Sequence, residues 1–171
     1  MVNTTSINYT FSDVKQTTPL DPSKIRKEHP TAESARDSQL NYLVLVVDDS
    51  IDNLTATSLY LQQHGYRVAT ATNGEEAVAV AGLIKPDLIV MDLAMPGVDG
   101  LESTRQIRHI ESLKDIPVVA LTAFSTEGFR RAAHDTGFDG YLTKPVDFTR
   151  LADLIGRLIG LAKSASKASP G

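Results

Sequence analysis

Residues 87–100 read DLIVMDLAMPGVDG, and the fold follows from what this stretch requires. Its first part, DLIVM, is after Asp87 a continuous apolar run of the kind that forms a strand covered on both faces. The Met95-Pro96-Gly97 sequence cannot continue such a strand and ends it. Between the run and the break stands Asp92. A carboxylate at the end of a buried strand is costly unless other groups pair with it. No partner lies in the immediate sequence, so the chain must bring partners from a distance.

Working outward, the same grammar repeats. LVLVV (43–47) is a second apolar, β-branched run, and RVATA (67–71), PVVAL (117–121) and GYLT (140–143) are shorter strand candidates. A helix begins near Ser50, with Ile51, Leu54, Ser58 and Leu61 along one side, and ends around His64-Gly65. Asn73 is placed to cap a helix through Ile84, where Glu75 and Glu76 suit the positive end of the helix dipole. Further helices are predicted from Asp99 to Ser112, near 125–136, and from Asp147 onward. The last carries Leu151, Leu154, Ile155 and Leu158, a one-sided apolar stripe. Five strands alternating with five helices give an α/β fold: a flavodoxin-like, doubly wound five-stranded parallel sheet of order 2-1-3-4-5.

Composition narrows the function classes. The chain of 171 residues is 42% hydrophobic and 22% charged, as in an ordinary globular protein, and contains no cysteine for a disulfide or a thiolate zinc site. Residues 1–41, rich in Thr, Ser, Asn, Pro and charge, are expected to be a disordered or weakly ordered arm, 42–162 the folded domain, and 163–171 a flexible tail. No apolar stretch is long enough to span a bilayer and the N-terminus lacks a secretory signal, so a cytoplasmic location is expected. Residues 43–162 carry ten Lys/Arg against sixteen Asp/Glu, a balance that disfavours nucleic acid, and no membrane partner is expected. His64, His109 and His134 lack metal-ligand spacing and are read as surface residues.

Ligands of open α/β sheets bind outside the carboxyl ends of the strands. The residues leaving those ends are Asp48 and Asp49 after the first strand, Asp92 after the third, Thr122 and Ala123 after the fourth, and Lys144-Pro145 after the fifth. In the 2-1-3-4-5 order the first and third strands are neighbours, so the three carboxylates converge. At about 4 Å and an effective dielectric near 20, each pair repels by roughly 4 kcal/mol. A hard divalent cation removes that cost, and oxygen ligands suit Mg²⁺ (or Mn²⁺) rather than zinc. Asp92 is then placed as a nucleophile toward a phosphoryl group, with Lys144 as its counter-charge and the Thr122 hydroxyl as a donor to a phosphoryl oxygen.

The segments VVDDS (46–50), MDLAMPGVDG (91–100), ALTA (120–123) and DGYLTKP (139–145) together resemble the receiver domain of two-component response regulators. The resemblance spans residues 43 to about 162 and rests on the order and spacing of the segments. It implies Asp92 as phosphoacceptor and Mg²⁺ held by Asp49, Asp92 and the Ala94 carbonyl, with Asp48 acting partly through water. It further implies Thr122 and Tyr141 as a coupled switch pair, Ala123 and Lys144 as phosphoryl-binding residues, and a cis Lys144-Pro145 peptide. With only a short tail after residue 162, a stand-alone regulator is expected, signalling by protein contact through its fourth helix, fifth strand and fifth helix. The run DDSIDN (48–53), with Asn53, resembles the receivers of hybrid kinases and phosphorelays. Expected partners are therefore a sensor histidine kinase, a histidine phosphotransfer protein, or both, and a downstream protein target.

Three other readings compete. A phosphatase of the haloacid dehalogenase type would need an acid/base Asp at position 94, which is Ala. An FMN binder would need hydroxyls and N–H groups where Asp48 and Asp49 stand. A pseudo-receiver acting without phosphorylation would typically lack one of Asp48, Asp49, Asp92, Thr122 and Lys144, and all five are present. Two departures from common receiver patterns, Ala94 and Phe124, place apolar side chains along the path of the hydrolytic water. They predict slow self-dephosphorylation, over minutes or longer. Phe138, where the family usually has a small residue, is a third departure.

Overall fold

The computed structural model describes residues 41–97, 99–123 and 127–168. Five strands, β1 (Leu43–Val47), β2 (Arg67–Ala71), β3 (Leu88–Asp92), β4 (Val118–Thr122) and β5 (Gly140–Thr143), form one sheet of order β2-β1-β3-β4-β5. Every neighbouring pair is parallel, with Val47 beside Met91 and Asp92 beside Leu121. The helices are α1 (Ile51–Gln63), α2 (Gly74–Ile84), α3 (Gly100–His109), α4 (Glu127–Thr136) and α5 (Phe148–Ala168). The predicted fold class and strand order are those found.

Successive strand residues point to opposite faces, and here both faces are buried. Leu45, Val47, Ile89, Met91, Val118 and Ala120 face one cluster with Ala77, Ala81, Ile107 and Ala133 of α2, α3 and α4. Val44, Val46, Leu88, Val90, Val119 and Leu121 face the other, with Leu54 and Leu61 of α1 and Leu151, Ile155 and Ile159 of α5. Phe138, the unexplained departure, fills the first cluster just after Gly137, which turns with φ of +98°.

Several boundaries differ from the sequence reading. β3 and β4 each begin and end one residue later than predicted, so Asp92 and Thr122 are themselves the last ladder residues. The buried side of α1 is Leu54, Thr57 and Leu61, whereas Ile51 is 64% exposed. Ile51 is the first residue after the Ser50 cap, above the rim of the sheet, where no core lies beneath it. α3 stops at His109 rather than Ser112, because Ile110 turns to an extended conformation and a tight turn returns Leu113 to the core. α5 continues through Ala168, so residues 163–168 of the expected tail are helical. That segment, KSASKA, holds good helix formers and no Gly or Pro. Residues 1–40 and 169–171 lie outside the described residues, and with them the readings of the arm and of the last residues.

Candidate functional site

The turns after β1, β3 and β5 meet at one edge, and local sequence explains how each is set. Ser50 caps α1 by accepting from the Asn53 backbone N–H, which starts a helix directly after the Asp48-Asp49 pair. After β3 the chain is held by Leu93 N–H to Leu121 O at 3.0 Å and turns through Gly97, whose φ is +81°. Asp99 then caps α3, bringing Gly100 so close to the end of β3 that any Cβ there would run into the Asp92 carbonyl oxygen. After β5, Lys144 donates its N–H to Thr122 O at 2.7 Å and precedes a cis proline, as expected.

The predicted acidic residues come together. Asp48, Asp49 and Asp92 each present an oxygen, all within 4.8 Å of one another. Asp48 and Asp92 are each 2% exposed, while Asp49 lies open to solvent. Lys144 Nζ bridges the two buried carboxylates, 2.9 Å from Asp48 Oδ2 and 2.8 Å from Asp92 Oδ2. Burial would lower the Lys144 pKa, but its hydrogen bonds to Asp92 and Asp48, with their charges, outweigh this and raise it. The lysine is therefore a fixed cation at neutral pH. One cation facing three carboxylates leaves a net negative pocket. Three oxygens within 4.8 Å of one another can close on one octahedral Mg²⁺, whose ligand oxygens stand about 3 Å apart as neighbours and about 4.2 Å across the ion, and the donor set is all oxygen. These residues fit such an ion.

The remaining predicted positions lie in or just after β3, β4 and β5. The Ala94 N–H donates to Asp92 Oδ1 at 3.1 Å, which orients the carboxylate, while its methyl side chain is exposed. Thr122 is buried at the end of β4, and Ala123 beside it is exposed. Tyr141 pairs with Ala120 across the β4–β5 ladder, so it lies on the same sheet face as Thr122, the face covered by α4. Its side chain is 39% exposed. Phe124 lies outside the described residues.

One residue of this site was not among those expected to line it. Asn53 Nδ2 donates to both oxygens of Asp48, at 3.1 and 3.2 Å. The signal for it is geometric: a residue in the first turn of a helix leans toward the N-terminus, here back onto the strand end that precedes it.

The response regulator receiver domain family model matches residues 44–156. Protein PilH of Pseudomonas aeruginosa is 36% identical over 116 residues, covering 68% of this chain and 96% of that protein. The polar-differentiation response regulator DivK of Brucella anthropi is 33% identical over 117 residues, 68% of this chain and 95% of that one. The sensor histidine kinase GacS of Pseudomonas protegens is 39% identical over 122 residues, 70% of this chain but only 13% of the kinase. Among solved structures, chemotaxis protein CheY4 of Vibrio cholerae superposes with a TM-score of 0.66 at 33% identity, over 68% of this chain and 98% of that one. The receiver domain of sensor histidine kinase PA1611 from Pseudomonas aeruginosa, with magnesium coordinated in its active-site cleft, gives 0.65 at 35% identity, over 70% and 98%. With the sheet order, the acidic edge and a family match over most of the folded unit in agreement, the chain belongs to the response regulator receiver domain family.

Proposed function

We propose that Asp92 is the phosphoacceptor, taking a phosphoryl group from a phosphohistidine donor in a Mg²⁺- or Mn²⁺-dependent reaction. The observation that carries this reading is the placement of Asp92 between the Asp48-Asp49 pair and Lys144. An oxygen of Asp92 forms a P–O bond as the P–N bond of the donor breaks, and the electron pair leaves with the imidazole. The Ala94 N–H fixes the attacking carboxylate. Lys144, already in contact with Asp92, meets the negative charge of the transferring group. The Thr122 hydroxyl and the Ala123 backbone N–H, at the end of the adjacent strand, complete the phosphoryl cradle. Asp49, Asp92 and the Ala94 carbonyl would hold the cation, with Asp48 contributing charge and water-mediated contact. When bound, the cation supplies positive charge that neutralises phosphoryl oxygens during transfer.

The phosphorylated state would be read through Thr122 and Tyr141, which share a sheet face, and so through α4, β5 and α5. We assign the folded unit to residues 42–162 and a cytoplasmic setting to the protein. Its partners are a sensor histidine kinase, a histidine phosphotransfer protein, or both, and a downstream protein target, with no role for nucleic acid or membrane. Among the described residues no helix is long and apolar enough to cross a membrane. A phosphatase acting on other substrates would need a proton-transfer group at position 94, and the alanine there has none.

Incubation with acetyl phosphate, with and without Mg²⁺, tests the proposal. Mass spectrometry is expected to show one added phosphoryl group on Asp92 that requires both the metal and the Asp92 carboxylate. After removal of the donor, the phosphorylated form is expected to persist for minutes or longer. Incorporation into Asp92→Asn at the wild-type level would contradict the assignment, and decay within seconds would contradict the slow turnover inferred from Ala94 and Phe124.

A further inference from the structure

Asp48 is the most heavily hydrogen-bonded carboxylate of the site. Its Oδ1 accepts from the Ser50 N–H at 2.9 Å and from Asn53 Nδ2 at 3.1 Å. Its Oδ2 accepts from Lys144 Nζ at 2.9 Å and again from Asn53 Nδ2 at 3.2 Å. A carboxylate only accepts, so it is the nitrogen of the Asn53 amide that faces it. Asp49, by contrast, is exposed and makes no hydrogen bond among the described residues.

The three donors to Asp48 are not equivalent. The Ser50 N–H is backbone and fixed. Lys144 is shared with Asp92, 2.8 Å away, and must re-aim when a phosphoryl group joins Asp92. Asn53 is the side-chain donor whose amide hydrogen bonds go to Asp48 alone among the described residues, and its nitrogen straddles both oxygens. The final torsion of an aspartate is broad when nothing restrains it. Asn53 restrains it here.

We infer that Asn53 is a positioning residue that locks the Asp48 carboxylate so that its charge stays aimed at the cation site whether or not Lys144 is bound to it. The inference rests on the phosphoacceptor reading above. Direct cation bonding then falls to Asp49 and Asp92, whose oxygens are less encumbered. Asp48 becomes a fixed charge and anchor, and Lys144 is free to follow the phosphoryl group without releasing it.

Calorimetric titration of the full chain with Mg²⁺ alone tests this, since partners that orient the groups around a metal typically govern affinity by tenfold or more. Asn53→Ala is expected to weaken Mg²⁺ binding about tenfold, and Asn53→Leu, similar in bulk but without a donor, by the same factor. In an Asp48→Asn background, Asn53→Ala is expected to change affinity by less than about twofold, because both act through one group. Thermal melts of the metal-free variants should stay close to those of their parents, since Asn53 is exposed. Wild-type affinity in Asn53→Leu, or an equal loss in both backgrounds, would overturn the inference while leaving the phosphoacceptor reading standing. A wild-type chain that binds no Mg²⁺ would instead overturn that reading, and this one with it.

Discussion

Lys144 joins Asp48 and Asp92, two carboxylates that are themselves buried and whose charges would otherwise face each other. Removing one member of a buried charge group strands the others. Because Lys144 is a quarter exposed, the cost of Lys144→Ala is set at about 2 kcal/mol, below that of a fully buried pair. Mg²⁺ should restore part of it. Chemical denaturation with and without the ion is expected to show a larger metal-induced stabilisation for the variant than for the parent, and equal stabilisation would contradict this. The clustering at this scale was legible in the sequence because each of these side chains directly follows, or ends, a strand. Strand order then delivers them to one edge. Asn53 was legible only as a point of resemblance. Its action depends on the direction in which a helix begins, which composition does not encode.

Elements hold these side chains in place, and their ends are where the sequence spoke least clearly. The cap residues Ser50, Asn73 and Asp99 all stand where they start helices. The apolar stripe of α1 was misread at Ile51 because period alone does not say how far the core extends beneath a helix. The sequence sets no C-terminal end for α5, because its final turns carry no apolar stripe. Gly100 is the element-scale residue closest to the chemistry. A methyl group there meets the Leu93 side chain and, beside it, the Asp92 carbonyl and the Leu93 backbone, which cannot yield. Gly100→Ala should therefore cost about 3 kcal/mol by overpacking and displace the end of β3. Denaturant melts would measure the loss, and unchanged stability would show that the α3 start can shift freely.

The start of α2 adds a pH-dependent contribution. The Thr72 backbone N–H and hydroxyl both donate to Glu76 Oε2 at 2.7 Å, and they lower the Glu76 pKa below its ordinary value of 4.5. A depressed carboxylate pKa stabilises the fold above the unfolded value and loses that contribution as pH falls through the folded one. The melting temperature of Glu76→Gln should thus lie below that of the parent at neutral pH. The gap should close as the solution is acidified below that ordinary value and through the lowered one. A gap that persisted at low pH would mean the side chain acts by packing instead.

At the scale of the molecule, the parallel sheet turns a sequence with its acids far apart into one with a single acidic edge. β1 and β3 are neighbours although residues 48–87 lie between them in sequence, and this adjacency puts Asp48, Asp49 and Asp92 together. That outcome was readable from the alternation of strands and helices, which admits few topologies. The N-terminal forty residues offered no such period, and their reading as an arm concerns a segment outside the described residues. The functional account reduces to one juxtaposition, of Asp49 and Asp92 on a single cation. Crystals grown with Mn²⁺ and measured for anomalous scattering test it directly. The account predicts one manganese peak bonded to a carboxylate oxygen of Asp49 and to one of Asp92; a peak bound to only one of them, or no peak at this edge of the sheet, would contradict it.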